Sequence, residues 1–185
     1  MSDSAPAAAD TPAESPEPPP EHPLVVALRE GVTGLSGVTV TESRGMTLAH
    51  IPDAGRIVDV CRFLKTDGDW EFVMLIDIVA VDHRDSEPRF GLTYTLHSIS
   101  KNQRIFLKIR VPGGAAVVPT MTTLWSGANW MEREVFDMFG VRFAGHPDLR
   151  KILTPDDLEG HPLRKDFPLG NVDVWPEGAD TNVAR

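Results

Sequence analysis

Between Phe90 and Val111 apolar and polar positions alternate with a period of two. Phe90, Leu92, Tyr94 and Leu96 are separated by Gly91, Thr93 and Thr95, and Ile105, Leu107, Ile109 and Val111 by Phe106, Lys108 and Arg110. Side chains on a strand point to opposite faces in turn, so each run predicts a strand with one face in a core, and the Ser100–Gln103 stretch between them predicts a hairpin turn. The outer face of the second strand, with Arg104, Lys108 and Arg110, is partly basic. Glu71 to Val81 is a nearly unbroken apolar run rich in β-branched residues and predicts a buried strand through which the core passes. Val38–Ser43 and Met46–Ile51, either side of Arg44-Gly45, predict two shorter strands.

Three segments carry helical spacing instead. Pro23–Val32 places Leu24, Val25 and Leu28 on one side, and Asp53 is suited to cap a helix that turns Ile57, Val58, Cys61, Phe63 and Leu64 inward. After a helical turn at Pro119–Trp125, Ser126 is placed to cap a longer helix that Gly140 ends. On that helix Trp130, Met131, Val135, Met138 and Phe139 form a broad apolar side, which leaves Glu132, Arg133, Glu134 and Asp137 to a solvated charged face. Arg133 and Asp137 stand at i, i+4 and are spaced to pair. Glu132 and Glu134 lie about 200° apart around the axis and do not converge on one metal.

The ends of the chain lack such patterns. Residues 1–22 form a Pro/Ala/Glu-rich leader that buries too little apolar surface to fold and predicts disorder. Residues 141–185 contain Pro147, Pro155, Pro162, Pro168 and Pro176 and predict an extended segment. A stretch of that length cannot satisfy its own backbone, so it is expected to lie on another surface. Within it Gly145-His146-Pro147 is echoed by Gly160-His161-Pro162, each followed by a leucine and a base, as successive corners along a partner would be. The fold expected is α+β: one small domain, residues 23–140, with a mixed, largely antiparallel sheet packed by helices, plus a long irregular C-terminal segment, residues 141–185, that docks on partner subunits.

Charge and cysteine content narrow the function. The net charge is −9, but five acids and no base fall in residues 1–21, which leaves 22 acidic against 18 basic residues in the remainder. That balance offers no footprint for nucleic acid. The single cysteine, Cys61, cannot complete a disulfide, a zinc site or an iron-sulfur site alone, and its position inside a helix face predicts a core residue. No Gly-rich phosphate loop accompanies Gly113-Gly114. No apolar run approaches the roughly 20 residues that span a bilayer, and the first twenty residues hold neither an apolar signal core nor a base. His146 with Asp148, and His161 with Asp166, could in principle serve a metal or act as general bases, but no third ligand stands at motif spacing and hydrogen-bonded loop histidines are the plainer reading.

The string Glu132-Arg133-Glu134-Val135-Phe136-Asp137-Met138-Phe139, followed by His146, Arg150, Ile152 and Leu153, resembles the signature of the thirty-kilodalton subunit family of respiratory complex I, the C-type subunit of the bacterial NADH-quinone oxidoreductase. Every fixed position of that pattern is met. The continuation Glu159 to Leu169, with His161, Arg164, Lys165 and Asp166, is similar to the ending of the same family. The resemblance spans residues 23–169. It implies a structural subunit in the peripheral arm of proton-translocating NADH-quinone oxidoreductase, active only within the assembly. The implied partners are chiefly the forty-nine-kilodalton quinone-site subunit and the subunit with the terminal iron-sulfur cluster. It also implies that FMN and the clusters reside in partners, that no catalytic, cofactor or metal site is in this chain, and that the chain sits peripherally on the cytoplasmic side of a bacterial inner membrane. The chain ends soon after Leu169, as in the unfused form of the subunit.

On this reading Glu132, Arg133, Glu134, Asp137, Arg150, Arg164, Lys165 and Asp166 orient the terminal segment and dock it on partners. Two alternatives follow from the same residues. One is the equivalent subunit of a related membrane-bound hydrogenase or of a ferredoxin- or deazaflavin-linked complex; the other is a free-standing metal-dependent hydrolase using His146, His161, Asp148 and Asp166.

Overall fold

The computed structural model describes residues 21–168 except Arg44 and Ala115. Nearly all of the leader and the stretch after Pro168 therefore lie outside the described residues.

The two period-two runs are strands β4 (Phe90–Ser98) and β5 (Gln103–Val111), paired antiparallel from Phe90↔Val111 to Ser98↔Gln103. Asn102, with φ 49, lies in the turn between them. β1 (Thr39–Ser43) and β2 (Met46–His50) form a second antiparallel hairpin, and β2 joins β5 in parallel. With β3 (Met74–Asp82) the sheet runs β1-β2-β5-β4-β3, so it is mixed and largely antiparallel, as its sequence implied.

The run expected to be a buried strand is the edge strand β3. Only one face of it is covered: Leu75 and Ile78 are buried, whereas Met74, Val79 and Val81 stay nearly half exposed. Apolar content alone does not distinguish a central strand from an edge strand with a second apolar face.

Helices α1 (Pro23–Gly31) and α2 (Ile57–Thr66) bring Leu24, Leu28, Ile57, Val60, Cys61 and Leu64 against the sheet side chains Leu92, Tyr94, Leu96, Ile105, Leu107 and Ile109. Asp53 does act as a cap, but of the single 3-10 turn Ala54–Arg56 that leads into α2; its carboxylate accepts from Gly55 N–H at 2.9 Å. Burial pushes the Cys61 thiol well above its usual pKa, in keeping with a core residue. Val58 and Phe63, expected inward, are half-buried, and Val60 takes the interior place.

Helix α3 (Ala128–Phe139) packs beside β3. Its N-cap is Gly127 and no side chain caps it, so Ser126 does not serve as expected. Gly140 ends the helix in the left-handed conformation, φ 73, that glycine adopts without strain. The chain then returns to the domain: β7 (Arg142–Ala144) pairs in parallel with β6 (Val117–Pro119). Among the described residues no helix is long and apolar enough to cross a membrane.

Candidate functional site

The charged residues of α3 are not a solvated face. Glu132, Arg133 and Asp137 are buried, and Trp130, assigned to the apolar side, is 61% exposed. For Arg133 and Asp137 the reason is the segment after β7, which doubles back and lies along the helix, so that these polar residues of α3 become an internal interface. Residues 145–168 thus find their surface in their own chain, where the sequence suggested a foreign one.

Four contacts hold this strap, in order along α3. At the first turn, His146 Nδ1 accepts from Asp148 N–H at 3.0 Å, which leaves the proton on Nε2 to be donated to the Asn129 carbonyl at 3.2 Å. One turn on, Arg133 donates to the carbonyls of Arg150 at 3.2 Å and Lys151 at 2.9 Å. Its guanidinium also lies 5.1 Å from the centre of the Trp130 ring, within cation–π range. Asp137 then fills a nest of successive backbone N–H groups: one carboxylate oxygen accepts from Ile152 at 3.0 Å, Leu153 at 2.8 Å and Thr154 at 2.9 Å, and the other accepts from the Thr154 hydroxyl. Burial draws the Asp137 pKa up, but these bonds to the charged form outweigh it and hold the group below the usual carboxylate range. Arg133 and Asp137 therefore do not pair with each other; each is committed to the strap.

The fourth contact satisfies the end of the helix. The last carbonyls of a helix lack intrahelical partners, and here each finds one in the second Gly-His-Pro corner. His161 Nδ1 donates to Asp137 O at 2.9 Å, Leu163 N–H to Met138 O at 3.1 Å and Arg164 Nε to Phe139 O at 2.6 Å. The approach is so close that a Cβ on Gly140 would fall 2.3 Å from both the Arg164 guanidinium and the His161 ring. The two corners are thus clamps at opposite ends of one helix, where the sequence suggested consecutive turns on a partner.

Beyond α3 the strap reaches the end of β3. Arg89 forms a bidentate pair with the buried carboxylate of Asp82 at 2.8 and 2.7 Å and also donates to Asp166 at 3.0 Å. Asp82 in turn accepts from Lys165 N–H at 2.8 Å. The Arg89 guanidinium holds the Asp82 carboxyl well below its usual range and lowers that of Asp166. Lys165 thus acts through its backbone rather than its charge. Arg89 and Thr154 were not singled out from the sequence, and no local pattern could have found them, because their partners lie up to 77 residues away.

Glu132 points inward. It accepts from Met121 N–H at 2.5 Å and the Thr120 hydroxyl at 2.6 Å, with His146 Nε2 at 4.0 Å. Burial exceeds the effect of those bonds and pushes its pKa up to about 7. The Tyr94 hydroxyl is buried without a hydrogen-bond partner, and burial followed by the charges of Cys61 and Glu132 raises its pKa.

The remaining signature positions divide by exposure. Met138 is buried and Phe139 and Ile152 are half-buried, whereas Leu153 is exposed and Arg150 is exposed and paired with Asp148 at 2.9 Å. Glu134 is exposed and makes no hydrogen bond or ion pair among the described residues. His146, Asp148, His161 and Asp166 are dispersed among these separate contacts, and among the described residues no three His, Cys, Asp or Glu side chains converge where a metal could be held. A hydrolase built on those four residues is not favoured by this geometry.

Residues 51–172 match the family model described as respiratory-chain NADH dehydrogenase, 30 Kd subunit. The chain is 44% identical to the C-type subunit of NADH-quinone oxidoreductase from Roseiflexus castenholzii over 83% of its own length and 88% of that protein. It is 42% identical to the corresponding subunit from Geobacter sulfurreducens over 82% and 92% respectively. Among solved structures it is similar to a trypsin-resistant fragment of Nqo5, with TM-score 0.52 and 32% identity over 60% of this chain and 89% of the fragment. It is also similar to a chain of the membrane-bound sulfane sulfur reductase, an archaeal respiratory membrane complex, with TM-score 0.64 and 28% identity over 78% of this chain and 82% of that one.

Proposed function

This chain belongs to the 30 kDa subunit family of respiratory-chain NADH dehydrogenase, and we propose that it serves NADH-quinone oxidoreductase as a scaffold, contributing shape and no reacting group. The observation that carries this reading is how the signature residues are used. Arg133, Asp137, His146, His161 and Arg164 are each engaged in fastening one segment of chain to one helix, and Glu132 holds the Thr120-Met121 turn to the same helix. A catalytic centre needs groups free to meet a substrate, and the family's most characteristic residues are occupied with backbone atoms instead.

In this reading FMN and the iron-sulfur clusters belong to other subunits, and the chain rests on the quinone-site subunit and the terminal-cluster subunit at the cytoplasmic face of the membrane, as a peripheral component. The likeness to a chain of an archaeal respiratory membrane complex supports a building block shared among such assemblies. The high identity to the bacterial NADH-quinone oxidoreductase subunits favours the NADH-oxidising complex over its relatives.

The test is Arg133→Ala in the complete complex. The isolated variant is expected to keep its sheet, since the hydrogen bonds of Arg133 among the described residues go to the strap, while assembled complex and NADH-quinone reductase activity in membranes fall together several-fold. Normal assembly with normal activity would overturn the scaffold reading.

A further inference from the structure

Successive residues of a strand point to opposite sides, so the register of the five-stranded sheet sorts its side chains into two faces. Leu92, Tyr94, Leu96, Leu107 and Ile109 turn to the face that the helices cover and are fully buried. The opposite face carries Leu48 beside Phe106, Lys108 beside Thr93 and Thr95 beside Asp77. Arg104 and Lys108 stand on it in β5, which has a strand on either side, and both are exposed, so no described element lies over this face. An antiparallel sheet leaves one face to water when that face is polar. This one is not: Met46, Met74, Val79 and Val81 are between 43% and 49% exposed on it, and Leu48 and Phe106 are only half-buried. Exposed apolar side chains grouped in this way mark a contact surface.

The charge of the face specifies the occupant. Arg110 is committed to the Pro88 carbonyl, but Arg104 and Lys108 enter no ion pair among the described residues. The one acid that the strands turn to this side is Asp77, two strands away on the edge strand β3. The face is thus a basic and apolar patch on a chain whose net charge is −9. Resting on the reading that this chain is a subunit of a larger complex, we propose that the open face of the sheet seats an amphipathic helix of another subunit. That helix lays its apolar stripe over Leu48, Phe106 and Val79 and sets carboxylates against Arg104 and Lys108. The two bases lie about 13 Å apart along β5, so the matching acids stand roughly two to three helical turns apart. Residues 1–20 of this chain offer carboxylates but no Leu, Ile, Val, Phe or Trp, and so lack such a stripe.

The experiment uses the full chain, tagged and expressed in cells that make the whole complex. Arg104→Glu combined with Lys108→Glu reverses two exposed charges and is expected to reduce co-purification of the other subunits at least tenfold without changing the melting temperature of the isolated chain. Arg104→Lys combined with Lys108→Arg keeps the charges and retains the other subunits. Arg62→Glu, exposed on α2 beyond the other face of the sheet, leaves co-purification unchanged. A photo-crosslinker in place of Met46 is expected to capture a peptide of another subunit that carries Asp or Glu within a helical apolar repeat, a result independent of how well the reversed chain folds. Retention of the other subunits by the doubly reversed chain would overturn the proposal, as would equal loss in Arg62→Glu or a crosslink to residues 1–20 or to a second copy of this chain. Failure of the unaltered chain to retain any subunit would instead overturn the scaffold reading itself, so the two failures are distinguishable.

Discussion

The β4-β5 hairpin and the α3-strap unit are held together in opposite ways. The hairpin buries Leu92, Tyr94, Leu96, Leu107 and Ile109 against two helices, so its stability comes from area removed from water. The α3-strap unit joins residues 15 to 25 positions apart through carboxylate, guanidinium and imidazole groups aimed at backbone atoms. The first kind of region tolerates exchange among apolar residues of similar size. The second depends on particular donors and acceptors, because a buried polar group left without its partner forfeits its hydration with nothing in return. That difference fits the polar fixed positions of the signature, which lie on α3 and the strap.

The comparison breaks most visibly if the core is cut. Leu107→Ala is expected to destabilise the whole domain by about 2–5 kcal/mol, the usual cost of a large-to-small change at a fully buried site, and denaturant unfolding should show sheet and strap lost together. Asp137→Ala should cost somewhat less, about 2–4 kcal/mol, since the three N–H groups it leaves can reach water once the strap lifts. Its signature is local: trypsin cuts after Arg150 and Lys151 many times faster, while the circular dichroism of the sheet is retained. Equal loss of sheet and strap in this variant would erase the distinction between the two regions.

A subtler probe is pH. Glu132 holds its proton more firmly in the folded chain, at about 7 against an ordinary value of 4.5. The stability that its neutral form contributes is therefore complete below pH 4.5, declines as pH rises through that interval and is gone above about 7. The loss amounts to about 3 kcal/mol. The Asp82 and Asp137 carboxyls have the opposite sign: their contribution stands above the ordinary carboxylate pKa and vanishes as pH falls beneath it. Glu132→Gln, which keeps the acceptor for Met121 N–H, should flatten thermal stability between pH 5 and 7.5 and leave the acid limb intact. An unchanged slope there would place the Glu132 proton elsewhere.

How far the sequence could be read follows the same division. The hairpins, the mixed sheet, Gly140 as the end of α3 and Cys61 as a core residue were legible because periodicity and glycine geometry are local properties. Helical spacing alone leaves Arg133 and Asp137 on a solvated face because it cannot reveal the distant segment that covers them, and it does not show that Glu132 meets Thr120 and Met121. For the same reason Arg133 and Asp137 looked like a pair at i, i+4, though each has its partners in residues 150–154. The apolar run of β3 predicts burial on both faces because it gives no sign that β4 is its only strand neighbour. The signature residues read, from the sequence, as orienting the terminal segment and docking it on partners; most of them bind their own chain, while Glu134, Arg150, Leu153, Lys165 and Asp166 are exposed.

The central claim is that the strap is fastened to α3 before any partner arrives. Amide hydrogen exchange on the isolated chain addresses it directly: Ile152, Leu153 and Thr154 should be protected well beyond an unstructured peptide, though less than Leu92 or Leu107, and that protection should disappear in Asp137→Ala. Exchange of these three amides at the unstructured rate in the unaltered chain would contradict the account.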